Sequence, residues 1–273
     1  MLRRVVPGLI GLLFSVFLGL HVSAESLSPR HTAEEKLVSR VVLLTNEIRA
    51  RHGLAPLQVH PALMRSAQWM ARDMVQHDYL RHTDRLGREI DPRLPEFGYG
   101  DYREIGENIA GGQLTPEEVV AAWMRSPAHR ANLLNPTFRE IGVAHLDGIH
   151  AHYRHYWVQD FGVRADSYPV VINNKAPETN DSTVHLYVHG AGWAEQMRFS
   201  NDHVHWSDWQ PFQSRCDWTL AAGYGERTVY AEVRGEGIVR HSEDTVRLLA
   251  SRQGSLIASA VIIHAAQRSV AQQ

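Results

Sequence analysis

Cysteine is almost absent from this chain: Cys216 stands alone in 273 residues. No disulfide can form within the chain, so stability rests on apolar packing. Cys216 alternates with Trp218 and Leu220, which puts all three on one strand face and predicts a buried, inert thiol. An excess of positive charge is missing too. The formal charge is −2 at pH 7, which argues against nucleic acid, a partner that demands a basic face. No His-Glu-x-x-His pair places two zinc ligands on one helical face. No Gly-x-Ser-x-Gly or Cys/His arrangement supplies an activated nucleophile, and no internal repeat is visible. Histidine, by contrast, is abundant. Seventeen of them make the surface charge climb steeply below about pH 6.5. Apolar residues at 44% and charged residues at 21% mark a globular protein, and the length allows two cores.

The first residues read as an export signal. Arg3 and Arg4 precede an apolar run over residues 5–20, and Val22-Ser23-Ala24 puts small residues before Glu25. Cleavage after residue 24 is the expectation, with an uncleaved anchor as the alternative. No cysteine near the cleavage point supports a lipoprotein signal. Near the other end, Leu256, Ile257, Ala260 and Val261 form a stretch far shorter than a span of about 20 residues. No spanning segment is therefore expected in the mature chain.

Between these ends the periodicity changes once. Leu37, Val41, Leu44 and Ile48 recur at helical spacing until Gly53; Leu63, Ala67, Met70 and Met74 do so after Pro61. Residues 79–112 look irregular. Thr115-Pro116-Glu117-Glu118 then forms a capping box that opens a helix carrying Val119, Val120 and Trp123. Ser126-Pro127 repeats the device and sets His129 in the first turn of the next helix. Residues 140–146 and 155–161 alternate as two strands of an antiparallel hairpin. Beyond Phe161 short alternating runs take over, around Val184, Met197, Val229 and Val246, which predicts a β-sandwich.

Four places carry candidate chemistry: His82 in Arg81-His82-Thr83, Glu107 in Gly106-Glu107-Asn108-Ile109, Trp123-Met124-Arg125-Ser126, and His129 in Pro127-Ala128-His129-Arg130-Ala131-Asn132-Leu133. In this order, and with the closing Trp157-Val158-Gln159-Asp160-Phe161-Gly162, they resemble the CAP superfamily (cysteine-rich secretory, antigen 5, pathogenesis-related one), in its bacterial SCP-like extracellular branch. The resemblance covers residues 32–163. It implies an α-β-α sandwich and a central cleft in which two histidines and two glutamates bind divalent metal. His82 and His129 fill the histidine places and Glu107 the first glutamate place. Ser126 stands where the animal members have the second glutamate, and Glu118 is explained by its capping box. The metal implied is zinc or another divalent cation held by His82 and His129, and Glu107 is the residue that would act on bound water in an enzyme.

Residues 182–249 resemble a bacterial immunoglobulin-like module, from Met197-Arg198-Phe199-Ser200-Asn201-Asp202 through Gly223-Tyr224-Gly225 to Thr228-Val229-Tyr230. Trp206 and Trp209 are either core residues or a surface for a sugar face. His145, His150, His152 and His155 form a further cluster; His150 and His152 would share a strand face, unless the segment is a solvated loop.

The expected organisation is an α+β protein: signal peptide 1–24, CAP domain 32–163, linker 164–181, all-β immunoglobulin-like sandwich 182–249 and tail 250–273. The expected role is a secreted or envelope-bound, non-catalytic module for a lipid, glycan or protein ligand. A metal-assisted hydrolase, peptidase-like, and a scaffold with a vestigial cleft are the alternatives.

Overall fold

Helix α1 (Ala33–Arg51) carries Glu34 and Glu35 in its first turn and Arg49 and Arg51 in its last, charges that oppose the helix dipole. Gly53 follows at φ 72°, the left-handed conformation that stops a helix. Helix α2 (Pro61–His77) begins with proline at its first position, and its whole expected stripe, Leu63, Ala67, Met70 and Met74, is fully buried. These elements belong to a computed structural model that describes residues 33–250. The expected signal segment and all but the first residue of the expected tail lie outside the described residues.

The two helices cover opposite faces of one sheet. Its strands are β1 (Gln58–Val59), β2 (Tyr102–Gly111), β3 (Glu140–Asp147) and β4 (His155–Arg164), in the order β1-β3-β4-β2. On one face Val41, Val42 and Ile48 of α1 pack with Trp157 and Phe161 of β4 and with Val119, Val120 and Trp123 of helix α4 (Pro116–Arg125). On the other, Ala67, Met70, Ala71 and Met74 meet Tyr156 and Val158. The alternation along β4 therefore feeds two cores, which is the α-β-α layering. Gly142 shows how close α2 lies: a Cβ there would sit 2.1 Å from the Leu63 carbonyl carbon.

Capping proceeds as the sequence predicts. The Thr115 hydroxyl accepts from the Glu118 amide at 3.2 Å, and Glu118 returns a carboxylate oxygen to the Leu114 amide at 2.8 Å. Helix α5 (Pro127–Leu133) follows directly, with no side-chain cap from Ser126.

The region expected to be irregular is more ordered than its composition suggests. It holds helix α3 (Ile90–Arg93), a 3-10 turn over Leu94–Phe97, and all of β2. β2 escapes a periodicity reading because Glu107 and Asn108 are buried in it beside Ile109 and Ala110. Polar side chains there satisfy one another, so no apolar alternation marks the strand.

The second half has two sheets around one core. Strands β5 (Val170–Ile172), β7 (Thr183–Val188) and β10 (Arg215–Thr219) form the sheet β10-β7-β5. Strands β6 (Glu178–Thr179), β8 (Gln196–Ser200), β9 (Gln210–Pro211), β11 (Gly225–Gly235) and β12 (Ile238–Leu248) form β6-β12-β11-β8-β9. Val184, Leu186, Phe199, Val229 and Val246 face one another between them, which makes the region a β-sandwich. Leu220 is buried in this core and Trp218 packs against it, but Cys216, expected to be buried, is only half-buried at its edge. Burial pushes the Cys216 thiol up to about 11, as an inert thiol requires.

The stretch 164–181, expected to be a linker, supplies β5 and β6 and so takes part in both sheets. With three residues in β5 and two in β6, each preceded by a proline, Pro169 or Pro177, there is no alternation to read. Several bonds also join the two halves. Gln58 donates to the Val170 carbonyl at 2.7 Å, Asn46 to the Asn174 carbonyl at 3.1 Å, and His189 Nε2 to the Pro56 carbonyl at 2.8 Å.

Candidate functional site

Glu107 sits in the middle of β2 with its side chain almost wholly buried. Its Oε1 accepts from His82 Nδ1 at 2.8 Å, and its Oε2 is in a very short ion pair with Arg93. His82, on the bend after α2, is half exposed, so Nε2 is the imidazole nitrogen left for a ligand. His129, in α5, brings its ring centroid to 6.5 Å from that of His82, tilted by 49°. The three residues singled out from the sequence therefore converge. Ser126 does not join them: it is the joint between α4 and α5, and its hydroxyl makes no bond to His82, Glu107 or His129.

The two imidazoles are held in different electrostatic states. The hydrogen bond to Glu107 raises the His82 pKa above its ordinary value, against the opposing effect of burial. Burial lowers the pKa of His129, and the nearby His82 lowers it further. The hydrogen bond thus favours the charged form of His82, while burial favours the neutral form of His129.

The motif residues around Glu107 have identifiable mechanical roles. Gly106 lies against α5: a Cβ there would come within 3.0 Å of Asn132 Oδ1 and 3.1 Å of the Phe138 ring. Asn132 donates to the Glu107 carbonyl at 3.1 Å and to Asn108 Oδ1 at 2.9 Å; Asn108 in turn donates to the His129 carbonyl at 3.2 Å. Trp123 Nε1 reaches the Ile109 carbonyl at 3.2 Å. Gly-Glu-Asn-Ile and His-Arg-x-Asn-Leu are thus the two halves of one clamp, which fixes α5 and its histidine beside β2.

Two residues of the site were not singled out from the sequence. Arg93 is fully buried, and besides Glu107 it reaches Met70 Sδ at 3.3 Å and Ser66 Oγ at 3.4 Å. Asp160, directly across from Glu107 in the β2–β4 register, is also fully buried, 4.0 Å from Arg93. Neither of its carboxylate oxygens has a hydrogen-bond partner among the described residues. Burial, and next the charge of Glu107, raise its pKa strongly, which favours its protonated form. One guanidinium, that of Arg93, thus faces two buried carboxyl groups. The signal for Asp160 was available: a lone acid in the strand segment Trp157–Phe161, whose Trp157, Val158 and Phe161 are buried, is costly unless it is paired or neutral.

A metal fits this site incompletely. His82 Nε2 and His129 offer two nitrogen ligands, and the Glu107 carboxylate behind His82 is the usual outer partner of a metal-binding imidazole. Among the described residues, however, no group of three or more His, Cys, Asp or Glu is placed to hold a metal ion. Catalytic zinc ordinarily has three protein ligands.

The remaining histidine cluster divides in two. His145, on β3, is buried, stacks on His155 with centroids 5.3 Å apart, and bonds to Glu34 at 2.9 Å. Burial brings its pKa down to about 4. His150 and His152 are exposed in the loop between β3 and β4, so they share no strand face, and the solvated-loop reading applies to those two only. The tryptophans of the sandwich also depart from the core reading. Trp206 and Trp209 lie on the outer side of the five-stranded sheet, stacked by Arg198 at 4.9 and 4.6 Å.

Comparisons with known proteins agree with the first half of this picture. Residues 42–161 match the cysteine-rich secretory protein family, CAP. The chain is 43% identical over 123 residues to the uncharacterized protein YkwD of Bacillus subtilis, covering 45% of this chain and 45% of that one. It is 33% identical over 140 residues to the uncharacterized membrane protein YlbC of the same organism, covering 51% of this chain and 37% of that one. The matched parts are thus less than half of these relatives' own lengths. Among solved structures, an extracellular SCP-domain protein from Bacillus anthracis matches at 29% identity and a TM-score of 0.43, over 48% of this chain and 41% of that one. An outer surface protein from Borrelia burgdorferi matches at 23% identity and 0.44, over 48% and 94%. No helix among the described residues is long and apolar enough to cross a membrane. The matched segment, with its clamp of Gly-Glu-Asn-Ile against His-Arg-x-Asn-Leu, is a CAP domain of the cysteine-rich secretory protein family.

Proposed function

We propose that the protein is an exported, non-catalytic binding module, acting at the cell envelope or outside the cell, whose CAP cleft engages a lipid, glycan or protein through His82 and His129. The observation that carries this reading is the state of Glu107. One of its oxygens is committed to His82 and the other to the buried Arg93. A general base needs an ionised, accessible oxygen within reach of the proton it takes; here one oxygen orients the His82 imidazole and the other is held by Arg93. His82 Nε2 and the half-buried His129 ring are what the cleft presents to a ligand. Names such as "extracellular" and "outer surface" among the similar structures favour the same location.

The rival reading, a metal-assisted hydrolase of peptidase type, rests on the convergence of His82, Glu107 and His129. Zinc thermal shift and turnover measured together separate the two. In a binding module no metal-dependent turnover appears on a panel of peptides and esters. Metal-dependent turnover that vanishes both in His82→Ala/His129→Ala and in Glu107→Ala overturns the proposal. Any zinc-induced rise in Tm should be lost in the double histidine variant, should persist in His150→Ala/His152→Ala, and should fade below about pH 6 as the imidazoles protonate.

A further inference from the structure

The outer side of the five-stranded sheet carries a feature that the CAP cleft does not use. Arg234 lies over the Trp209 ring at 4.2 Å, Arg198 over the same ring at 4.6 Å, and Arg198 again over Trp206 at 4.9 Å. Cation and ring thus alternate along Arg234, Trp209, Arg198 and Trp206. Arg198 is locked from below by the buried Glu232 at 2.6 Å, and Arg234 by Gln196. The stack ends at a cavity of about 250 Å³ lined by His203, Trp206, Tyr230, His241 and Glu243, with strand backbone beneath.

The walls of this cavity are fixed in advance. Asp202 accepts from the amides of Val204 at 2.9 Å and His205 at 2.7 Å, and Ser200 pairs with Trp206 across the loop. Within that loop His203 adopts a left-handed backbone at φ 62°, uncommon for a residue with a side chain. The conformation lays its ring flat on Tyr230, centroids 4.7 Å apart and 13° from parallel. His241 is steadied by Glu232 at 3.0 Å. The polar ends that remain are the Trp206 indole N–H, the Tyr230 hydroxyl, the far nitrogen of His241 and the Glu243 carboxylate. None of these makes a hydrogen bond among the described residues.

We propose that this cavity is a saccharide subsite, taking one pyranose ring of a glycan against the Trp206 indole beside His203, whose ring meets it edge-on with centroids 5.7 Å apart, with ring hydroxyls bonded to Glu243 and His241. A pyranose has a C–H face that stacks on an aromatic ring and a rim of hydroxyls that both donate and accept. The cavity supplies the matching pair of surfaces. Its size falls below the roughly 300–1,000 Å³ of sites that enclose drug-sized ligands, which suits a single ring with the rest of the chain outside. Charge selects against the alternatives. Trp206 already carries the Arg198 guanidinium on one face, so a second cation on the other would meet it across the ring. The Glu243 carboxylate repels phosphate and carboxylate ligands, while Glu232 is neutralised by Arg198. A neutral, polyhydroxylated ring incurs neither penalty.

The test applies the full chain to a printed array of neutral and acidic glycans that includes peptidoglycan fragments. The best-retained glycan is then titrated by tryptophan fluorescence. The expected result is retention on a pyranose-bearing glycan with quenching of Trp206, and at least tenfold weaker binding in both Trp206→Ala and Glu243→Ala. Glu243→Ala keeps the test sound if Trp206→Ala misfolds, because the Glu243 carboxylate supports nothing else in the fold. Tyr230→Phe should weaken binding by a few fold. Absence of retention on every glycan overturns the proposal, as does binding left unchanged by Glu243→Ala. A fluorescence response to tetramethylammonium without one to any glycan overturns it in favour of a cation cage.

Discussion

The CAP half and the sandwich half handle polar side chains in opposite ways. In the CAP half, Arg93, Glu107, Asn108 and Asp160 are buried between layers, and they hold the elements together as they shape the cleft. In the sandwich the space between sheets is mainly apolar, with the buried Asp244, which accepts from the Ile172 amide at 2.8 Å, as an exception, and Arg198, Arg234, Trp206 and Trp209 stack on the outside of one sheet. The difference teaches where each half is vulnerable. A change at the CAP site removes part of the fold's internal bonding, whereas a change on the sandwich face leaves the apolar core intact.

The largest effect should come from breaking the sandwich core itself. A fragment of residues 178–250 lacks β5, and with it the buried Val170 and Ile172. That fragment should show no cooperative unfolding by circular dichroism, while residues 166–250 should show one. Equal folding of both would mean that β5 belongs energetically to the CAP half.

Next in size is the charge cluster of the CAP half. Arg93→Met leaves Glu107 buried without its cation and should cost about 3–5 kcal/mol in denaturant unfolding. Asp160→Asn replaces a carboxyl group whose burial favours the neutral form, so at pH 7 it should change stability by no more than about 1 kcal/mol. If the two variants are equally damaging, Asp160 is ionised and the account of the cluster is wrong.

The seam between the halves should be acid-sensitive. Burial lowers the His189 pKa from 6.5 to about 4. The unfolded chain takes up that proton first as pH falls, so the stabilisation is complete above about pH 7 and is lost progressively toward pH 4. The loss attributable to this residue should approach about 3 kcal/mol. In His189→Gln, whose amide can still donate toward Pro56, the acid-dependent share should disappear. Urea unfolding of both proteins at pH 7, 5.5 and 4 measures it; parallel pH profiles would remove His189 from the seam's energetics.

The smallest effect tests a feature that is purely local. Thr115→Ala removes the cap of α4 and should cost about 1 kcal/mol. It should leave the two sheets of the sandwich, and glycan retention, as they were.

Legibility in the sequence followed the same division. Helices α1, α2 and α4 were readable because an apolar stripe at 3.6-residue spacing, with caps at its ends, is a local signal. The β3–β4 hairpin and the strands β7, β8, β11 and β12 were readable from alternation. Strand β2 was not, because its buried side chains are the polar ones of the site; β5 and β6 were not, because two or three residues carry no period. His82, Glu107 and His129 were legible as a set through their motifs, while Arg93 and Asp160 belong to segments whose patterns gave them no role.

The sequence by itself determined the layered α+β architecture, the lone cysteine and the motifs that carry His82, Glu107 and His129, which the fold brings close together. All of these depend on neighbours a few positions apart, or on motifs that survive as strings. Only the tertiary structure decided that Glu107 is bound on both sides, that Ser126 stands apart, that the expected linker is woven into both sheets, and that two tryptophans face outward beneath arginines. Each of those facts is a pairing between segments far apart in the chain, from Arg93 with Asp160 to Arg198 with Glu232. Such pairings are set by how sheets and helices stack, which local spacing does not encode.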